Sequence, residues 1–165
     1  MKTTSVRPTP SVVRKAIFDI LQHIEGKSFL DIYAGKGFVG IEALKRGADK
    51  VFFVERNPVL CSFIKNTLKK KNLSEKAEVY MKDAVRFLEE TDELFDIIFA
   101  DPPYLTGELE RFFRCLEKRD ILKEDGVVII QHHKNEAIKE KLKCLRVHKC
   151  YKYGDTLLTV YRRQE

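Results

Sequence analysis

Two spacings of apolar residues alternate along this chain. Near the start, Val13, Ile17, Ile20, Leu21 and Ile24 recur at three- and four-residue steps, the stripe of an amphipathic helix. Thr9 is suited to cap that helix, Pro10 to open it and Gly26 to close it, so a helix is predicted from Thr9-Pro10 to about Ile24. Short apolar runs rich in β-branched and aromatic residues then predict strands over Ser28–Ile32, Lys50–Glu55, Ala77–Met81, Phe95–Ala100 and Val127–Gln131. Helical patterns separate them. One runs from Phe38 to Arg46 and stops at Gly47. Another opens at Asn57-Pro58 and ends in Lys69-Lys70-Lys71-Asn72. A short one leads from Asp83 to about Glu90, and one covers Glu108–Arg119. The chain closes with a short helix, Glu136–Leu142, and two strands, Leu145–Tyr151 and Thr156–Arg162, joined around Gly154.

Strand and helix alternating in this way predict a parallel sheet with right-handed crossovers. The closing hairpin adds an antiparallel edge. The expected fold is α/β and Rossmann-like: a mostly parallel seven-stranded sheet, an antiparallel edge hairpin and helices on both faces. No repeat, low-complexity segment or internal linker interrupts it, so one domain is expected, with 1–25 as N-terminal segment and helix and 26–165 as core.

Composition narrows the classes. With 165 residues, 44% of them hydrophobic, the chain can bury one full core. A net charge of +6 leans toward polyanions without proving one. Cys61, Cys115, Cys144 and Cys150 form no C-x-x-C pair, and no histidine stands at zinc-finger spacing. They read as free thiols of a reducing compartment, and no metal is expected. The start Met-Lys-Thr-Thr-Ser-Val has no apolar leader, and no run approaches the ~20 apolar residues of a membrane span. A cytoplasmic protein, monomeric and away from membranes, is the expectation.

Chemistry concentrates where predicted strands end. The first strand runs into Ala34-Gly35-Lys36-Gly37-Phe38-Val39-Gly40, a G-x-G-x-x-G turn. Such turns let backbone approach a nucleotide-like ligand closely. Asp31 before the turn is unusual for a dehydrogenase and can accept from the ammonium of S-adenosylmethionine. On this turn alone, a plain tight turn or an NAD site competes. Glu55 ends the second strand, where a carboxylate can take both ribose hydroxyls. A solvent-facing acid is the blander reading. Asp83 can accept from the adenine amine or cap the following helix, and both can hold together.

Asp101-Pro102-Pro103-Tyr104, at the end of the fourth strand, is the sharpest signal. A nucleobase amine is a poor nucleophile because its lone pair is delocalised into the ring. The Asp101 carboxylate and the Pro102 carbonyl, accepting its two protons, would draw that lone pair toward tetrahedral character. The prolines preorganise both acceptors, and Tyr104 can stack on the base. The plain alternative is a rigid strand-exit turn with a capping aspartate. Arg7-Pro8-Thr9 can meet the cofactor carboxylate or the substrate backbone, or simply start a helix. Lys69-Lys70-Lys71 reads as a solvated helix end, His132-His133 as edge residues, and Arg162-Arg163 with Lys2, Arg7 and Arg14 as part of a phosphate-binding rim.

At these residues the chain resembles the bacterial 16S rRNA guanine-N2 methyltransferase family, the RsmD type. The resemblance rests on Arg7-Pro8-Thr9, Leu30-Asp31-Ile32-Tyr33-Ala34-Gly35-Lys36-Gly37, Gly40-Ile41-Glu42-Ala43-Leu44, Val54-Glu55, Asp83-Ala84, Asp101-Pro102-Pro103-Tyr104 and Tyr153-Gly154-Asp155-Thr156. It implies a class I methyltransferase sheet, S-adenosylmethionine as cofactor, and a guanine of 16S rRNA or the 30S subunit as acceptor. It carries Asp31, Gly35, Glu55 and Asp83 over as cofactor contacts and Asp101 with Tyr104 as the target-base site. Arg7, Thr9, Ala34 and Gly37 complete the candidate cofactor set. Two departures stand out. The family's usual Ser in the glycine turn is Lys36, and only six residues precede Arg7, so an RNA-contacting hairpin is expected to be missing or minimal. The rivals are an adenine N6 methylase of DNA or RNA, a catalytically silent RNA-binding module and an NAD-dependent oxidoreductase.

Overall fold

The computed structural model describes residues 10–164. Its elements are α1 (Pro10–Leu21), β1 (Ser28–Ile32), α2 (Phe38–Lys45), β2 (Lys50–Glu55), α3 (Pro58–Lys70), β3 (Ala77–Met81), α4 (Ala84–Glu90), β4 (Phe95–Ala100), α5 (Glu108–Lys118), β5 (Leu122–His133), β6 (Lys141–Leu142), β7 (Leu145–Tyr153) and β8 (Thr156–Arg163). The strands form one sheet in the order β3-β2-β1-β4-β5-β8-β7-β6. The first five neighbours run parallel, β8 is antiparallel to both β5 and β7, and β6 is antiparallel to β7.

The central strands read as continuous apolar runs because both faces are covered. Alternate residues go to opposite sides. Phe29, Val51, Phe53, Ile97, Phe99 and Ile129 meet α1, α2 and α3. Leu30, Ile32, Phe52, Val54, Ile98 and Ile130 meet α4 and α5. Two cores, one on each face, follow directly from that alternation.

After β1 the chain winds outward through β2 to β3, then returns to start β4 on the other side of β1. The switch point therefore lies between β1 and β4, and a crevice opens there at their carboxyl ends. Register makes this edge orderly. Ile32 pairs with both Val54 and Ala100, and Ala100 pairs with Ile130. The next residues, Glu55, Tyr33, Asp101 and Gln131, thus form one row along the crevice.

The C-terminal third departs from expectation. No helix forms over Glu136–Leu142; a turn leads into β6, raising the strand count to eight. Its polar groups are bonded outward instead of along a helix. The Glu136 carboxylate accepts from the His133 and Leu105 amides, the Lys139 carbonyl from the Tyr161 hydroxyl, and the Glu140 carbonyl from the Val147 amide. The closing hairpin forms the antiparallel edge that was expected, with its second strand, β8, beside β5 and with β7 and the added β6 outside it. Consequently β5 extends to His133, and His132-His133 are buried inside the sheet, not edge residues. At the other end, α1 stops at Leu21 because Gln22 takes a positive φ of 60°. Ile24 is still buried.

Candidate active site

Two turns build the crevice wall. In the first, Gly37 has φ 79°, and a Cβ there would stand 2.9 Å from Ile64. At Gly40 a Cβ would fall 2.4 Å from the Phe53 ring, so only glycine lets α2 lie this close to β2. Asp31 ties the turn together: its carboxylate accepts from the Gly40 amide at 2.9 Å. Asp31 is 1% exposed. Burial pushes its carboxyl well above the ordinary range, the Gly40 amide opposes this, and the Asp101 and Glu55 charges add to the rise. A buried carboxylate among other carboxylates is a site that favours a cation.

Glu55 holds the outer side of the same turn. Its two oxygens accept from the Gly35 amide at 2.8 Å and the Asn57 amide at 2.9 Å. Each oxygen keeps further acceptor capacity for ligand hydroxyls. Asp83 caps α4 through the Arg86 amide, as expected. It is also gripped in bidentate fashion by Arg111 at 3.0 and 2.9 Å. Arg111 reaches Glu108, whose carboxylate accepts from the Tyr33 hydroxyl at 3.0 Å. The Arg111 hydrogen bonds hold the Asp83 carboxyl below the usual range. Burial, with Glu108 alongside, pushes the Tyr33 hydroxyl far above its ordinary range. Tyr33 has a positive φ of 63°, an uncommon conformation for a residue with a side chain.

The crevice has two lobes that share Tyr33 and Asp101. One, of about 360 Å³, is walled by Glu55, Arg56, Lys82, Asp83, Pro102, Thr106 and Glu108 among others. The other, of about 640 Å³, is walled by Arg14, Asp31, Gly35, Lys36, Phe38, Phe99 and Gln131 among others. Asp101 stands at their junction, with its amide bonded to the Ile32 carbonyl. Pro102 is buried. Tyr104 does not line either lobe. Its hydroxyl lies 2.7 Å from the Thr156 hydroxyl and 3.3 Å from Gln131 Nε2, and its ring meets His133 edge-on at 5.7 Å.

Asp31, Ala34, Gly35, Gly37, Glu55, Asp83, Asp101, Pro102 and Tyr104 are thus gathered at one edge of the sheet, while Arg7 and Thr9 lie outside the described residues. The rim expected at Arg162-Arg163 is not here. β8 runs antiparallel, which carries its last residues to the opposite end of the sheet, where Arg163 pairs with Asp120. Sequence reading missed Tyr33, Glu108 and Gln131 as wall residues and Arg111 as the partner that holds Asp83 and Glu108. For Gln131 the signal was present: a polar residue immediately after four apolar ones, at the same strand-end position as Asp101. Arg111, in the middle of a helix with ordinary charge patterning, gave none.

Chemically, the smaller lobe offers carboxylates for hydroxyls and an amine. The larger offers a buried acid for a cation. Asp101 and the Pro102 carbonyl offer two acceptors for a planar amine.

The family model described as conserved hypothetical protein 95 matches residues 1–162. The candidate rRNA methyltransferase YlbH of Bacillus subtilis (strain 168) is 33% identical, the match covering 98% of this chain and 90% of that protein. Ribosomal RNA small subunit methyltransferase D of Escherichia coli (strain K12) is 29% identical over 96% of this chain and 80% of its own. Among solved structures, a conserved hypothetical protein of Streptococcus pyogenes superposes with TM-score 0.83 at 26% identity, covering 92% of this chain and 95% of its own.

Proposed function

The chain belongs to the RsmD-type family, whose model spans nearly all of it, and from that premise we propose that it is an S-adenosylmethionine-dependent rRNA methyltransferase acting on the exocyclic N2 amine of a guanine in 16S rRNA. The observation that carries this reading is the row at the carboxyl edge of the sheet. It sets Asp101 between a lobe lined with carboxylates suited to a nucleoside and a roomier lobe suited to a base.

When bound, S-adenosylmethionine supplies an electrophilic methyl group on a cationic sulfur. Glu55 accepts from the ribose hydroxyls and Asp83 from the adenine amine, with the Arg111 and Glu108 network fixing the Asp83 carboxylate. The Ala84 amide, at the first position of α4, has no acceptor within the helix, and the Asp83 cap bonds the Arg86 amide instead, which leaves it suited to a ring nitrogen. Asp31 takes the ammonium, and Ala34, Gly35 and Gly37 give close backbone approach; Arg7 and Thr9 complete the set. Asp101 and the Pro102 carbonyl accept the two protons of the guanine amine and direct its lone pair at the methyl group. On methyl transfer, with the sulfur as leaving group, the amine nitrogen would carry a surplus proton, which the Asp101 carboxylate would accept and pass to water. Tyr104, held at its hydroxyl by Thr156 and Gln131, keeps its ring beside the turn for the base. A structured RNA must present that guanine unstacked.

The chain is proposed to work as one methyltransferase domain, since every described helix packs on the single sheet. No described helix is long and apolar enough to cross a membrane. The test is transfer of tritiated methyl from S-adenosylmethionine to 30S particles and to naked 16S rRNA lacking the modification, with nucleoside analysis. Label in N2-methylguanosine that vanishes in Asp101→Ala is expected. Label in N6-methyladenosine would move the reading to the adenine rival, and no label on either RNA despite S-adenosylhomocysteine binding would sink the rRNA assignment.

A further inference from the structure

Aromatic side chains are normally buried when a chain has a core to put them in. Phe38, at the start of α2, is 44% exposed, and Phe63, on α3, is 40% exposed. They meet edge-on with ring centroids 6.4 Å apart. Each carries a cation: Arg14 lies 5.5 Å from the Phe38 centroid and Lys36 5.5 Å from that of Phe63. Lys15 and Arg46 are paired with Asp19 and Glu42; among the described residues, Arg14 and Lys36 have ring partners and no carboxylate partner. This cluster is continuous with the larger lobe, because Arg14, Lys36 and Phe38 also line it.

A ligand that suits both halves of this cluster has flat apolar faces and a negative charge. A nucleotide of a single strand has both: base–aromatic stacking supplies affinity without sequence readout, and a nearby cation neutralises the phosphate. We propose that Phe38 and Phe63, with Arg14 and Lys36, form the platform that holds a single-stranded nucleotide flanking the target base, so that the RNA is gripped beside the lobe its neighbour enters. This rests on the rRNA reading and specifies where that RNA runs. An acidic interior thus takes the cationic methyl donor while a basic, aromatic rim takes the polyanion.

The chain has no Trp, so Phe63→Trp places a sole indole on the platform. Titration with a short single-stranded oligoribonucleotide of mixed sequence is expected to quench its fluorescence saturably, and less so at high salt. In Phe63→Ala, KM for the RNA substrate is expected to rise about tenfold, with kcat and S-adenosylhomocysteine affinity nearly unchanged. Lys36→Ser is expected to lower the slope of log affinity against log salt by about 0.7. Methyl transfer by the unaltered protein, together with an unresponsive indole and an unchanged KM in Phe63→Ala, would overturn the platform and leave the rRNA reading standing. Absence of transfer by the unaltered protein would instead count against that reading. Quenching by an acidic peptide and not by RNA would overturn the platform in favour of a protein partner.

Discussion

The two lobes of the crevice share a wall but are built differently. In the smaller, the polar side chains are already bonded to one another: Tyr33 to Glu108, Glu108 to Arg111, Arg111 to Asp83, and Asp83 to the start of α4. In the larger, Asp31 is buried beneath the glycine turn, Gln131 and Asp101 face the opening, and the rim is aromatic and cationic. A lobe whose groups are locked before binding suits a small ligand of constant shape, because little ordering remains to be done. On the proposed roles the roomier lobe receives both the cofactor's ammonium end, at Asp31, and a base that arrives attached to a large RNA. If this division is correct, cofactor binding and methyl transfer should come apart under mutation.

The largest expected effect comes from the shared wall. Asp101→Asn keeps the shape but replaces a carboxylate acceptor, and single-turnover kcat should fall about 10²–10³-fold. Calorimetry should show S-adenosylhomocysteine affinity nearly unchanged; an equal loss of both would mean that the lobes do not divide the work. Next is Glu55→Ala. It strands the Gly35 and Asn57 amides, so S-adenosylhomocysteine affinity should fall about 10- to 100-fold, while kcat at saturating cofactor holds. Arg111→Ala frees Asp83, but this ion pair is partly exposed. A two- to fivefold loss of cofactor affinity is expected, and a change in RNA KM would contradict the division.

The smallest effect concerns support behind the larger lobe. His132 is buried, with Nδ1 3.1 Å from the His133 carbonyl and Nε2 2.7 Å from the Thr159 hydroxyl. The carbonyl can only accept, so Nδ1 carries the proton and Nε2 can take the hydroxyl's. Burial holds the imidazole below its usual range. The unfolded chain therefore takes up a proton below about pH 6.5 while the folded one does not. Stability should fall as pH drops from about 6.5 toward the folded value, by at most about 1.4 kcal/mol per unit. Thermal melts should show this slope flattened in His132→Asn.

Much of this molecule could be read from sequence where two constraints coincide. β1 to β4 matched their predicted bounds: β1, β2 and β4 are apolar runs buried on both faces and closed by a polar residue or turn, and β3, at the sheet edge and only half-buried, is bounded by the turns on either side of it. The glycine turn and the Asp101-Pro102-Pro103-Tyr104 turn were legible because backbone geometry restricts those positions to few residue types. Beyond β5 that coincidence fails. Glu136–Leu142 has helix-compatible residues, but its carboxylate and carbonyls are claimed by Leu105, Tyr161 and Val147, all distant in sequence. His132 and His133 looked like edge residues because nothing local announces that β8 will lie beside them.

The sequence by itself thus determined the alternation of strand and helix, the two cores and the positions of both ligand-facing turns, since these depend on local periodicity and backbone restriction. Only the tertiary structure decided which strands became neighbours and therefore which side chains meet. Arg111 reaches Asp83 across 28 residues and Tyr104 reaches Thr156 across 52. Such pairings are set by sheet order and helix packing, long-range terms that leave no local pattern.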